Sequence, residues 1–191
     1  METLIYLKIW ESDFVIKRFY EFIRLLSGEP FDWHFKVTPP TSSKKDPSTG
    51  VRHEIIRLKV RDKVRPLSEI LYQSLATAYK SQIRNSIAHS NYSMQGRYIH
   101  PNNYDAKDFG AQLRAVSFDE WIDMFHQTLA LYNGLIGLSN RILEHYEAVA
   151  AKQNNHIEVL VPNASGTLQP RTIVYRPEFR NFRYWHPDDD E

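Results

Sequence analysis

The sequence predicts a mainly α fold, a helical bundle that carries a small β appendage, for a chain of 191 residues. Apolar residues recur at helical spacing in 67–89 and again in 121–152, which predicts two long amphipathic helices. The segments 157–161 and 172–175 are β-prone and are separated by a turn-rich stretch, which predicts a C-terminal hairpin. Helices therefore dominate the prediction.

The predicted helices in the first half begin and end at recognisable residues. A first helix begins near Glu2 or Ser12 and ends at Leu26, because Gly28 and Pro30 follow. The apolar stripe of the second helix repeats every four residues: Leu67, Leu71, Leu75, Tyr79, Ile83 and Ile87. This stripe predicts one continuous helix with one buried face.

The last long helix has the clearest start signal. Ser117 and Glu120 form a capping box, with the serine as N-cap and the glutamate three residues later. The segment before it, 93–116, contains Gly96 and Gly110 and predicts a long irregular connection.

The segment 31–66 is predicted to be an insertion in the helical domain, either a polar loop or a hairpin whose strands flank that loop. The chain is accordingly divided into a helical domain, 1–152, and a β-rich extension, 153–191. A basic stretch at 44–65 and an acidic tail at 188–191 are compatible with an anionic partner or with solvated surface.

The composition limits the classes of function. The hydrophobic fraction of 42% is enough for a packed core, and the absence of cysteine excludes disulfides, zinc fingers and thiol nucleophiles. The N-terminus lacks the features of a secretory signal, and no apolar run approaches membrane-spanning length. We therefore expect a cytoplasmic protein without a membrane partner.

Standard catalytic and metal-binding motifs are missing from the sequence. There is no glycine-rich phosphate loop and no His-Glu-x-x-His segment. His126 and His145 share a predicted helix, but nineteen positions apart they cannot form one metal site by themselves. We expect no metal and no cofactor.

The exception is the segment Ile-Arg-Asn-Ser-Ile-Ala-His-Ser, 83–90, at the end of an apolar-striped helix. Here the sequence resembles the HEPN superfamily (higher eukaryotes and prokaryotes nucleotide-binding), which is marked by an arginine, a following polar residue and a histidine after a short spacer. Arg84, Asn85 and His89 fill those positions. The resemblance covers 67–152, implies a HEPN-like helical bundle, and leaves 31–66 and 157–191 without counterpart.

The resemblance implies a metal-independent endoribonuclease, a hydrolase acting as a toxin or in phage defence. His89 is the expected general acid or base, Arg84 the phosphate ligand, and Asn85 the residue that orients them. Binding of the RNA substrate is assigned to Lys80, Tyr92, Arg180 and Arg183. The alternative is a non-catalytic HEPN-like module that binds RNA or a nucleotide.

The spacing of the motif bears on assembly. Positions five apart on an ideal helix differ by about 140° and about 7.5 Å. Arg84 and His89 of one copy would therefore not converge on one phosphate unless the helix distorts or two subunits share the site. HEPN proteins resemble the case in which two subunits share the site, so the resemblance implies a homodimer.

One departure from the family concerns regulation. Some HEPN toxins carry a modified tyrosine two positions after the histidine, where this sequence has Asn91 and places Tyr92 one later. Control by that route is not predicted, although a cognate antitoxin or another regulator remains an expected partner. Tyr92 is interpreted either as a packing residue or as a base-stacking one.

A second candidate surface interleaves basic and aromatic residues near the C-terminus: Arg171, Tyr175, Arg176, Phe179, Arg180, Phe182, Arg183, Tyr184, Trp185 and His186. This composition suits single-stranded nucleic acid. Strand alternation explains it equally, with aromatic residues in the core and arginines in solvent.

Overall fold

A computed structural model describes residues 1–32, 35–37, 49–103, 112–163 and 165–186, with 49 and 50 described by their backbone alone. Helices make up 57% of this part of the chain and strands 20%, with two antiparallel three-stranded sheets. The chain therefore has a mixed α/β fold. The prediction of a mainly α bundle with a small β appendage is wrong, because the sheets are a major part of the molecule.

The helices are α1 (Glu2–Glu11), α2 (Asp13–Leu26), α3 (Arg52–Glu54), α4 (Asp62–Val64), α5 (Glu69–Ala78), α6 (Ser81–Ala88) and α7 (Phe118–Ala151), with a π-helix (Ile55–Arg61) between α3 and α4 and a 3₁₀ helix (Pro177–Phe179). The strands are β1 (Lys36–Val37), β2 (Thr49–Gly50), β3 (Tyr92–Gln95), β4 (Tyr98–Pro101), β5 (Val116–Ser117), β6 (His156–Pro162), β7 (Leu168–Arg176) and β8 (Asn181–Tyr184). β1 pairs with β2 in parallel, and the antiparallel sheets have the orders β3-β4-β5 and β6-β7-β8.

The sheet β3-β4-β5 replaces most of the irregular connection predicted at 93–116, of which 104–111 lie outside the described residues. β3 and β4 form a hairpin whose two turn residues, Gly96 and Arg97, lie between the Gln95–Tyr98 pair. Gly96 has a φ of 59°, the left-handed region that glycine adopts without strain, at the first turn position. Glycine is thus a hairpin signal here and not a mark of irregular chain.

The stretch after residue 50 is helical and not the hairpin strand that was one of the two alternatives for it. Basic residues alternate with Leu58, Val60 and Val64, which imitates the period of a strand. In the structure Val60 and Val64 are buried but Leu58 is 57% exposed, so the alternation does not define one face. The predicted loop at 39–48 lies outside the described residues.

The helix predicted over 67–89 is broken into α5 and α6. Tyr79 and Lys80 both have extended backbone, with φ and ψ near −115° and 110° at Tyr79. Positions four apart drift by about 40° per step on a straight helix, so six such positions span about 200°. On either side of the break, Leu75 and Ile83 both face the core, where each is fully buried.

Several predicted elements are confirmed. Ser117 and Glu120 form the reciprocal capping box, since Glu120 N–H donates to Ser117 Oγ at 3.2 Å and Ser117 N–H to Glu120 Oε2 at 2.8 Å. The helix α7 that follows ends at Ala151. β6, β7 and β8 occupy the β-prone C-terminal segments. The chain before Leu26 forms two helices, separated at Ser12, which caps α2.

By its internal contacts the chain divides into residues 1–135 and 136–191, so the division falls within α7. The domain boundary expected near residue 152 stays a prediction. The first unit holds a large core drawn from α1, α2, the π-helix, α5, α6, β4 and α7, and its largest fully buried side chains include Trp10, Tyr6, Tyr79, Ile16, Ile23 and Ile83. Trp10 packs against Tyr79 with ring centroids 5.1 Å apart.

The second unit contains the end of α7 and the sheet β6-β7-β8. Tyr175 and Phe182 are cross-strand neighbours with ring centroids 5.0 Å apart, and Phe182 meets Tyr146 edge-on. Tyr175 donates to the Glu147 carboxylate at 2.5 Å. Among the described residues of the whole chain, no helix combines the length and the apolar character that crossing a bilayer requires.

Candidate functional site

The candidate site lies around the C-terminal end of α6, which ends in a Schellman motif. His89 is the C-cap, Asn91 N–H donates to Ser86 O at 2.7 Å, and Ser90 N–H donates to Ile87 O at 3.1 Å. Ser90 adopts a φ of 52°, a position that glycine usually fills. The motif stops the helix directly after His89 and turns the chain into β3.

Arg84 points inward from α6 and binds the last residue of α1. Its Nη1 donates to Glu11 Oε1 at 2.7 Å, and its Nη2 lies 3.5 Å from the Tyr79 hydroxyl. The Arg84 side chain is only 12% exposed, and its buried Nε has no hydrogen-bond partner among the described residues. The guanidinium is thus fixed by one carboxylate and still has donor capacity.

Glu11 also links Arg84 to a second arginine. Arg52 Nε lies 3.8 Å from Glu11 Oε2, and Arg52 Nη2 lies 3.0 Å from Asp13 Oδ1. The four side chains form a cluster of two cations and two anions, which carries no net charge. An anionic ligand at Arg84 would therefore compete with Glu11 for the guanidinium.

Two buried tyrosines lie beside this cluster. Burial raises the pKa of Tyr79, and the Arg84 cation lowers it in part. Burial likewise raises the pKa of Tyr6 far above its ordinary value. The Tyr6 hydroxyl makes no hydrogen bond within the described residues. Both phenols are held in the neutral form, so they can donate a proton in a hydrogen bond but carry no charge.

The other two motif residues face elsewhere. His89 is exposed and Asn85 is half-buried, and in the described part of the chain neither side chain makes a hydrogen bond. One copy of the chain therefore does not join Arg84, Asn85 and His89 in a bonded network. Arg84 is bonded to Glu11, whereas His89 is exposed and bonds to no other described side chain.

The predicted substrate-binding residues fall in both units. Lys80 is the N-cap of α6 and is half-buried, and Tyr92 is partly buried against the core of the first unit. Arg180 binds Glu147 through two hydrogen bonds of 3.1 Å, which commits its guanidinium to a carboxylate. Arg183 is exposed on β8.

The pair Arg180–Glu147 has visible electrostatic consequences. The Arg180 guanidinium, together with the Tyr175 hydroxyl, holds the pKa of Glu147 below its ordinary value. In return, the hydrogen bond to Glu147 raises the pKa of Tyr175. Tyr175 and Arg180 of the second candidate surface therefore serve the packing of the sheet on α7.

No cluster of three or more histidine, aspartate or glutamate side chains suited to a metal ion occurs among the residues the structure describes. Comparison of the chain with models of known families, with curated proteins and with solved structures found no match. The chemistry of this site is therefore argued from its own side chains.

Sequence reasoning missed the partners of Arg84. Glu11 lies 73 residues before Arg84 in the chain, and no sequence pattern connects the two. Tyr79 was read as part of an apolar stripe, although its hydroxyl faces Arg84. An acidic residue at the end of a helix, just before the N-cap Ser12, was the available signal for Glu11, but that position alone indicates only a surface charge.

Proposed function

We propose that this protein is a metal-independent endoribonuclease of HEPN type. The observation that carries the proposal is the motif at the end of α6. His89 is exposed at the C-cap of this helix, and Arg84 lies five residues earlier in the same helix. An exposed histidine suits proton transfer near neutral pH. Arg84 supplies a charged fork that matches phosphate oxygens.

The reaction needs two proton transfers. The ribose 2′-oxygen attacks the adjacent phosphorus while a base removes its proton, the bond to the 5′-oxygen breaks, and an acid protonates that oxygen. The products are a 2′,3′-cyclic phosphate and a 5′-hydroxyl end. A neutral and a protonated histidine would perform the two transfers, and a two-fold dimer would supply two copies of His89.

The proposal includes a homodimer in the cytoplasm that acts on RNA, in growth restriction or phage defence under a regulator. One copy does not bring Arg84 and His89 together, and a site shared between two subunits would supply the missing partner. Mixing an inactive Arg84→Gln variant with an inactive His89→Ala variant tests sharing. If residues from both subunits form each site, mixed dimers regain part of the activity.

The deciding experiment is cleavage of a mixed RNA pool in EDTA by the wild type, His89→Ala and His126→Ala. His126 is a matched control, because it is also an exposed histidine and lies on α7. We expect fragments ending in 2′,3′-cyclic phosphate from the wild type and from His126→Ala alone. Cleavage by folded His89→Ala at the wild-type rate would refute the role of His89.

The second candidate is a non-catalytic module that binds RNA or a nucleotide. The inward position of Arg84 at Glu11 favours it, since one copy of the chain does not bring the arginine and His89 together on one phosphate. This candidate predicts salt-sensitive RNA binding that persists in His89→Ala, with no product formed by any variant.

A further inference from the structure

The sheet β6-β7-β8 separates its aromatic side chains into two groups. Tyr175 and Phe182 pack on each other and contact Glu147 and Tyr146 of α7. Tyr184 and Trp185 lie further along the chain and remain 49% and 36% exposed. Packing thus accounts for the first group and leaves the second group without a structural explanation.

Tyr184 and Trp185 line a cavity of about 520 Å³ at the end of β8. The remaining lining residues are Val161, Pro170, Arg171 and Thr172. The cavity therefore combines two exposed rings with a guanidinium and a hydroxyl. Its volume suits a planar group of the size of a nucleobase with its sugar.

Among the described residues, no strand covers the edge of β7 beside this cavity. The ladder between β7 and β8 includes the pair Ile173–Tyr184, and Trp185 N–H donates to Thr172 O at 3.0 Å. Within the described residues, Pro170 and Arg171 pair with β6 alone.

Arg171 gives the cavity a positive charge. Its side chain is exposed and makes no ion pair within the described residues. The pairing register places Arg171 on the face of Val159 and Tyr184, and the neighbouring Glu158 on the opposite face. The nearest carboxylate along the strand pair is thus directed away from Arg171.

We propose that this cavity, which we call the Trp185 cavity, binds a segment of single-stranded RNA. Bases stack on the rings of Tyr184 and Trp185, one on each ring, and Arg171 contacts an adjoining phosphate. Exposed rings beside an exposed cation are the chemistry that binds unpaired bases. The choice of RNA over DNA rests on the proposed function, whereas the stacking itself does not require it.

The test measures binding separately from cleavage. The His89→Ala variant is titrated against fluorescein-labelled oligouridylate of about twelve nucleotides in EDTA, and anisotropy gives the Kd. We expect Trp185→Ala or Tyr184→Ala in this background to raise the Kd about fivefold or more, as loss of one stacking contact does. Arg171→Gln is expected to lower the slope of log K against log salt by about 0.7, the value for one phosphate contact.

The matched control is Phe179→Ala. Phe179 is 63% exposed and lies under the Arg176 guanidinium at 4.8 Å, so it forms an exposed aromatic–arginine pair at the other end of β7. We expect an unchanged Kd for Phe179→Ala. An unchanged Kd for Trp185→Ala and Tyr184→Ala, equal weakening by Phe179→Ala, or no RNA binding by the parent variant would overturn the proposal.

Two further outcomes distinguish this proposal from the nuclease proposal. If the wild type cleaves RNA and Trp185→Ala leaves binding unchanged, the nuclease stands and the Trp185 cavity is rejected. If no cleavage occurs but Trp185→Ala weakens binding, the cavity stands without the nuclease. Tighter binding of oligothymidylate than of oligouridylate would overturn the assignment to RNA.

Discussion

The ion pair between Arg84 and Glu11 fixes the orientation of the motif arginine. With the two side chains 12% and 30% exposed, the pair is intermediate between a surface and a buried salt bridge. Glu11→Gln leaves a largely desolvated cation without its counter-charge. We expect a loss of about 1–2 kcal/mol in the free energy of unfolding, measured by urea denaturation.

The pair Arg65–Glu69 is the control for this prediction. Its charged atoms are 3.9 Å apart and its side chains are 64% and 59% exposed, so Glu69→Gln should change stability by less than about 0.5 kcal/mol. Equal urea midpoints for Glu11→Gln and Glu69→Gln would show that Arg84 does not depend on Glu11.

The buried hydroxyl of Tyr6 makes stability sensitive to alkaline pH. Burial raises the pKa of this phenol in the folded state above its ordinary value. The neutral Tyr6 phenol therefore contributes its full share to the free energy of unfolding below about pH 10, the pKa of tyrosine in the unfolded chain. This contribution is lost as the pH rises above that value. We expect Tyr6→Phe to lose less stability between pH 8 and pH 11 than the wild type, in urea unfolding at each pH.

The control is Tyr146→Phe, since Tyr146 is 44% exposed. The free energy of unfolding of Tyr146→Phe should fall between pH 8 and pH 11 by as much as that of the wild type. If Tyr6→Phe loses as much stability with rising pH as the wild type does, other groups cause the alkaline sensitivity. Tyr79 is then the first candidate, because burial raises its pKa too.

At the scale of elements, α1, α5 and α7 meet at one buried hydroxyl. Thr128 is fully buried, and its Oγ1 accepts a hydrogen bond from Trp10 Nε1 at 3.1 Å and donates towards Met124 O at 2.8 Å. The oxygen also lies 3.4 Å from Ala78 O, at the end of α5 where carbonyls lack helical partners. This hydroxyl ties the break between α5 and α6 to the core.

We predict that Thr128→Val destabilises the protein although valine has nearly the same shape. The substitution leaves Trp10 Nε1 buried without an acceptor, which costs about 1–3 kcal/mol. Thr128→Ser keeps the hydroxyl, loses one methyl group and should cost only about 1 kcal/mol. Urea denaturation of both variants measures this order, and a Thr128→Val protein as stable as the wild type would contradict it.

The elements also show what local sequence can specify. The capping box and α7 were predictable because their signals are local: Ser117 and Glu120 contact each other across one turn. The π-helix was not predictable from local signals, because its basic residues alternate with apolar ones as they would in a strand. The break at Tyr79 could not be predicted, because the apolar stripe continues through it and Tyr79 packs against Trp10, which is distant in sequence.

The same distinction applies to the candidate site. Arg84 and His89 could be selected from the sequence because they belong to one short string. Their environments could not, because Glu11 and Arg52 come from other helices. Substrate binding by Arg180 stays a prediction, and its partner Glu147, 33 residues earlier, could not be identified from the sequence.

At the scale of the whole molecule, the two units differ in how much apolar surface they bury. Buried hydrophobic side chains are abundant in residues 1–135. In the described residues beyond 135, the buried hydrophobic side chains are Ala150 and Ile157. Burial of apolar surface is the main source of stability, and local opening is easiest where few buried contacts hold a segment. The sheet β6-β7-β8 therefore depends more on its backbone ladder and on the hydrogen bonds of Glu147.

We accordingly expect native-state hydrogen exchange to separate the units. Amides of β6, β7 and β8 should exchange with a lower opening free energy than those of α2 and α6, because Ile16, Ile23 and Ile83 anchor those helices in the large core. Glu147→Gln, which weakens the bonds to Tyr175 and Arg180, should accelerate exchange in β7 and β8 and leave α2 unchanged. Equal protection in β7 and α2, with Glu147→Gln affecting both alike, would show that the chain opens as a single cooperative unit and that the sheet is stabilised by more than its own contacts.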